Sequence, residues 1–169
     1  MYKFELIKVE NYTIMSVPYK QKEIQNFAKD APTMYYEGNA AIPLNDLTSI
    51  QKMRIIKNGI SKDYLETFKK AASLDYDSLA NALSVTRATL INKKGAQKFS
   101  NQISEKIVSL ADLYSFGYEV FEDKDNFNKW MFIPNQALGG LAPFDIIDNY
   151  YGKEEVRNLI GRIAYGVYS

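Results

Sequence analysis

From residue 46 onward, apolar residues recur three and four apart, a spacing that predicts a succession of helices. Asp46 is a candidate N-cap for a helix carrying Leu47, Ile50, Met53 and Arg54, and Asn58-Gly59 supplies its stop. Ser61 is placed to cap a second helix, with Leu65, Phe68 and Ala72 along one face. Asp75 or Asp77 opens a third with Leu79, Ala80 and Leu83. Thr86 opens a fourth with Leu90 and Ile91, closed by Gly95. A longer helix starts near Ser100 and carries Ile103, Ile107, Leu110, Ala111 and Tyr114, with Gly117 at or within its end.

Beyond it, Asp125 is a candidate cap for a helix with Phe127, Trp130 and Met131. Pro134 suits the first turn of another, ended by Gly139-Gly140. Pro143 begins a short helix with Phe144 and Ile147, and the last helix is expected over 153–165, with Val156, Leu159, Ile160 and Ile163 as its apolar stripe. The first 45 residues read differently. Residues 2–19 alternate β-formers and suggest one or two strands. Residues 20–29 suggest a short helix ended before Pro32, and 32–45 look like a loop with Gly38 and Pro43. The expected fold is mainly α: a helix-turn-helix bundle over 46–117 and a small helical domain over 118–169, preceded by an arm over 1–45 with short strands. No tandem repeat or low-complexity linker separates the parts.

The chain has 169 residues, enough to hide roughly 70% of its unfolded surface. Its 46% hydrophobic and 24% charged content are globular values, which argues against global disorder. It contains neither cysteine nor histidine. That removes disulfides, thiolate and imidazole metal sites, and the nucleophile–histidine pairs of many hydrolases. No cofactor or metal is expected, and catalysis is left to carboxylate, lysine or tyrosine chemistry, with Asp145 and Asp148 as candidate carboxylates. No apolar run reaches the ~20 residues of a spanning helix, so the expectation is a cytoplasmic protein without membrane contact.

The net charge of +1 hides an uneven distribution. From Ser78 to Ser104 there is no acidic residue, while Arg87, Lys93, Lys94 and Lys98 fall in that run. Such a patch suits a phosphate backbone, because each neutralised phosphate releases condensed counterions. It coincides with four expected helices between Ser61 and Phe116, whose tightest turn lies between the second and third, the layout of a helix-turn-helix. Ala80 is small enough for a close crossing, and Leu83, Val85 and Leu90 fill the angle. Thr86 caps the recognition helix. Arg87 and Thr89 then point outward from its first turn, with Lys93 and Lys94 beyond. Ser84 occupies the turn position where a left-handed backbone favours glycine, at a cost of roughly 1–2 kcal/mol. The competing readings are an amphipathic helical hairpin that binds nothing, and a helix-turn-helix kept only as a dimerisation scaffold.

The C-terminal third carries Trp130, then Pro134-Asn135, Leu138-Gly139-Gly140 and the Pro143-led segment, and closes with Arg162 and Gly166-Val167-Tyr168-Ser169. In this order and spacing it resembles the C-terminal toxin-binding domain of the Xre/MbcA/ParS antitoxins, and the likeness extends back to about residue 55. Ser84, and Ser109 where a basic residue is common, depart from the family pattern. The resemblance implies a non-catalytic antitoxin whose partners are a RES-domain toxin, which consumes NAD or transfers its ADP-ribose, and operator DNA. It implies a homodimer that represses its own operon. It further implies operator contacts at Thr86, Arg87, Thr89, Lys93 and Lys94. Toxin contacts are implied at Trp130, Asn135, Leu138, Gly139, Arg162, Gly166, Val167, Tyr168 and Ser169. Two alternatives stay open: a stand-alone helix-turn-helix regulator with a C-terminal dimerisation domain, and an enzyme built on carboxylates.

Overall fold

The computed structural model describes the backbone of residues 5–9, 12–16, 27–28, 31–37 and 40–166, and the side chains of 32–35 and 42–166. Strands β1 (Glu5–Val9) and β2 (Tyr12–Ser16) pair antiparallel, with Glu5 opposite Ser16 and Val9 opposite Tyr12. Within the alternation read over 2–19, residues 5–9 and 12–16 are thus paired strands, while 2–4, 10–11 and 17–19 lie outside the described residues. A second antiparallel sheet joins β3 (Phe27–Ala28), β4 (Ala31–Glu37) and β5 (Ala40–Pro43) in that spatial order.

This second sheet corrects two expectations. Phe27 and Ala28 are extended rather than helical, while 20–26 lie outside the described residues. The stretch expected as a loop over 32–45 is largely strand. Its Thr33-Met34-Tyr35-Tyr36 run favours a pleated surface. The pairing also depends on what the sheet lies against. The Tyr64 hydroxyl donates to the Pro32 carbonyl at 2.6 Å, and the Ser115 hydroxyl donates to the Thr33 carbonyl at 3.1 Å.

Eight α-helices follow among the described residues: α1 (Ser49–Asn58), α2 (Lys62–Ala71), α3 (Tyr76–Ala82), α4 (Arg87–Ile91), α5 (Asn101–Phe121), α6 (Lys124–Trp130), α7 (Pro143–Ile146) and α8 (Tyr150–Ala164). Ser61, Asp75, Thr86 and Ser100 cap α2, α3, α4 and α5 as their positions predict. Elsewhere the caps move. Asp46 belongs to a 3-10 turn (Leu44–Asp46), and Thr48 caps α1 in a reciprocal box with Gln51. Asp123 caps α6, leaving Asp125 in its first turn. Pro134 precedes the short 3-10 turn Gln136–Leu138, which Asn135 caps. Helix α8 starts a turn earlier than expected, capped by Asn149, because its first residues Tyr150 and Tyr151 face outward and leave the apolar stripe without a beginning there. Helix α4 stops at Ile91, short of Gly95.

Helix α5 runs through the middle, about 32 Å long at 1.5 Å per residue. Ile107, Leu110, Ala111 and Tyr114 on it are fully buried. Rings from three helices meet edge to face around Tyr114, with centroids 5.4 Å from Phe68 and 5.3 Å from Phe127. Each such pair contributes about 0.5–1.5 kcal/mol beyond its area. Gly117 lies inside α5 because a Cβ there would stand 2.1 Å from the Phe127 ring. On another face, Asp112 of α5 accepts Lys52 of α1 at 2.7 Å and the Arg157 guanidinium of α8, so one carboxylate ties three helices. Asn128 of α6 accepts from the Tyr118 hydroxyl and donates to the Ala71 carbonyl at 2.9 Å, fastening α6 to the end of α2. No helix among the described residues is long and apolar enough to cross a membrane.

Two substitutions on α5 test this packing. The Tyr114 hydroxyl is buried without a hydrogen-bond partner among the described residues, and burial raises its pKa well above the usual phenol range. Since a stranded buried hydroxyl costs about 1–3 kcal/mol, Tyr114→Phe should keep or raise the urea midpoint and never lower it. Gly117→Ala should lower stability by at least about 2 kcal/mol in the same titration, because the ring it meets is itself enclosed.

Candidate functional site

Two surfaces collect the residues singled out from the sequence. The first is the corner between α3 and α4. Leu79, Leu83 and Leu90 are fully buried or nearly so, and Ala80 lies at the crossing, so the corner has a packed apolar hinge. Ser84 adopts a left-handed backbone with φ 48, as its turn position requires. The Val85 amide donates to the Ala80 carbonyl at 3.0 Å and closes the turn.

On the outer side Thr86 caps α4, its hydroxyl accepting from the Thr89 amide and lying 2.8 Å from the Thr89 hydroxyl. Arg87 is exposed and holds both carboxylate oxygens of Asp77, at 2.9 and 3.2 Å. Thr86, Arg87 and Thr89 therefore share one turn. Lys93 and Lys94 lie past the end of α4, in the chain that returns beside the start of α2 through Asp63–Gly95 and Lys62–Gln97 backbone bonds.

What holds α4 at its angle is a residue that the sequence pattern hides. Lys62 is buried, and its ammonium donates to the Leu90 carbonyl at the end of α4 at 2.8 Å. It also pairs with Glu66 at 2.8 Å, contacts the Tyr76 hydroxyl and lies over the Tyr76 ring. A buried ammonium is tolerated only when it is paired and hydrogen-bonded, as here. Its position just after the Ser61 cap is the only sequence signal it gives, and that signal is indistinguishable from an ordinary surface lysine.

The second surface is the C-terminal helical region. Trp130 points largely inward, stacked on Phe127 at 5.7 Å and tilted against Phe121 at 5.1 Å. Asn135 organises its loop. Its side chain accepts from the Ala137 amide, its own amide donates to the Leu141 carbonyl, and its carbonyl accepts from the Leu138 and Gly140 amides. Leu138 is half-buried against the core, whereas Gly139 is exposed with φ 69, a conformation that glycine adopts without strain. Arg162 and Gly166 sit at the opposite end of the region, at the end of α8 and just past it. The Arg162 side chain is half-buried, with its Nε enclosed and without a hydrogen-bond partner among the described residues. Val167, Tyr168 and Ser169 lie outside the described residues.

Between these positions the surface presents apolar groups the sequence reading did not select. Phe132, Ile133 and Leu141 flank the Asn135 loop with about half their surface in solvent, and Tyr150 and Tyr151 are 70% and 77% exposed. Two adjacent tyrosines in a first helical turn are a weak signal in the sequence, since helical neighbours lie about 100° apart and cannot both face one core. Clustered exposed aromatics mark contact surfaces more than catalytic ones. The carboxylates weighed as catalytic have structural tasks or none. Asp145 accepts from the Ala142 amide at the start of α7, and the exposed Asp148 carboxylate accepts from the Asn149 carboxamide and faces the Lys153 charge.

Residues 117–166 match the family described as the antitoxin Xre/MbcA/ParS C-terminal toxin-binding domain. The chain is 29% identical over 131 residues to the Prs ADP-ribosylating antitoxin of Sphingobium sp. (strain YBL2), which spans 71% of this chain and 82% of that protein. It is 28% identical over 116 residues to an antitoxin Xre of Yersinia enterocolitica, spanning 68% of this chain and 78% of the other. A shorter likeness, 34% over 76 residues, links it to an antitoxin Xre of Photorhabdus laumondii, spanning 44% of this chain and 51% of that one. The loop locked by Asn135, the cap at Gly139 and the Pro143-led helix lie within the matched segment, so the C-terminal third of the chain is similar to the toxin-binding domain of the Xre/MbcA/ParS antitoxins.

Proposed function

We propose that this antitoxin silences a RES-type toxin, an enzyme that consumes NAD or transfers its ADP-ribose, by seating the C-terminal domain over the toxin's active site. We propose also that, as a homodimer, it represses its own operon through α3 and α4. The match of 117–166 to a toxin-binding domain carries the first part. The Sphingobium relative is called a Prs ADP-ribosylating antitoxin, which supports an ADP-ribose-handling partner.

On this reading the chain divides into an arm over 1–45, a helix-turn-helix unit over 46–117 and a toxin-binding domain over 118–169. Its chemistry is steric and it works in the cytoplasm. Toxin contacts run from Trp130, Asn135, Leu138 and Gly139 to Arg162 and the Gly166–Ser169 tail. For operator DNA, the outward faces of Thr86 and Arg87 would meet the duplex, with Lys93 and Lys94 on its phosphates. Arg87 would exchange Asp77 for DNA, a small cost because both partners are more than half exposed.

Co-expression with the adjacent gene tests the toxin part. The neighbour should arrest growth, the full-length chain should restore it and co-purify, and a version ending at Tyr165 should fail to rescue. A harmless neighbour with nothing co-purifying would favour the stand-alone regulator. For the DNA part, operator affinity of a Lys93→Ala, Lys94→Ala double variant should fall about tenfold at moderate salt. The slope of log affinity against log salt should become shallower by about 1–2. An unchanged slope would remove these lysines from the interface.

A further inference from the structure

Ser84, the turn residue of the α3–α4 corner, is bonded on both sides to elements outside that corner. Its hydroxyl donates to the backbone carbonyl of Asp148, between α7 and α8, at 2.7 Å. Its own carbonyl accepts the Lys106 ammonium from α5 at 3.1 Å. Glycine would suit φ 48 without strain, so a serine here adds a hydroxyl whose partner is 64 residues away.

The α7–α8 corner that supplies the acceptor is closely packed. A Cβ on Gly152 would stand 1.6 Å from the Ile146 carbonyl oxygen, so the first turn of α8 is pressed directly onto α7. The Asn149 side chain accepts from the Gly152 amide at 3.0 Å and fixes the same turn. Asp148 is followed at once by the exposed pair Tyr150 and Tyr151. A body pressing on that pair has little slack to absorb before Asp148 moves.

We propose that the Ser84–Asp148 hydrogen bond couples the two surfaces, so that toxin bound against the α7–α8 corner resets the turn that sets the angle of α4. Operator affinity and toxin affinity are then linked through this contact, each changing the other by the same factor. This rests on the toxin and operator reading above and extends the toxin contact to the exposed Tyr150 and Tyr151, which lie within the matched segment 117–166.

The test uses the full-length chain, the product of the adjacent gene and a duplex from upstream of the operon. Ser84→Gly removes the hydroxyl and suits the backbone, and Ser84→Ala removes it while keeping the left-handed strain. In the native chain, bound toxin should change amide exchange across 84–87 by about threefold or more, and operator affinity by roughly fivefold or more. In both variants the exchange response should vanish and the affinity ratio should fall below about twofold, with toxin affinity kept. A native chain whose turn ignores bound toxin would overturn the proposal, as would variants that keep the native ratio and exchange response. If no version binds the duplex, the repressor reading fails and the exchange measurement alone decides the coupling.

Discussion

The approach of Phe127 to Gly117 is the contact on which the C-terminal half depends. The ring stands where a side chain on α5 would have to be, so α6 reaches the central helix at backbone distance. From that seat Phe127 touches Tyr114, Tyr118, Phe121 and Trp130, which makes one aromatic cluster of α5 and α6. Met131 follows into the core, and its carbonyl receives the Phe144 amide at 2.8 Å, which brings α7 under the loop. The surface matched to toxin binding is therefore built outward from a single missing side chain.

Polar contacts then set angles that apolar packing leaves free. Hydrophobic burial is non-directional, whereas a hydrogen bond fixes distance and orientation. Asp112 draws α1 and α8 to α5 from two sides, Asn128 joins α6 to the end of α2, and Lys62 holds the end of α4 against α2. Each of these groups is at least partly withdrawn from solvent, where losing a partner costs more than on an open surface. The helix-turn-helix corner and the C-terminal region are thus oriented by a few ionic or amide side chains within a shared apolar core.

Helix α5 crosses the position where a boundary between the two regions is drawn from sequence, and it contributes to both. Tyr114 packs on Phe68 from the α2 side and on Phe127 from the α6 side. On this spine the two regions have no flexible linker between them.

The sequence by itself determined the helices and most of their starts, because a cap such as Ser61, Asp75, Thr86 or Ser100 acts on amides only two or three residues away. It likewise located the α3–α4 corner, the left-handed turn at Ser84 and the segment matched to toxin binding, since these rest on short spacings. Tertiary structure alone decided the rest. The β3–β5 sheet was read as helix and loop because a ladder needs a partner strand and a surface to lie on, and neither is local. Asp123 took the cap that Asp125 offered equally well, because the seat of Phe127 fixes where α6 begins. Lys62, exposed in any reading by pattern, is buried because three acceptors or rings from α2, α3 and α4 converge on it. The bond from Ser84 to Asp148 spans 64 residues, a separation at which periodicity carries no information and only the folded chain can bring donor and acceptor together.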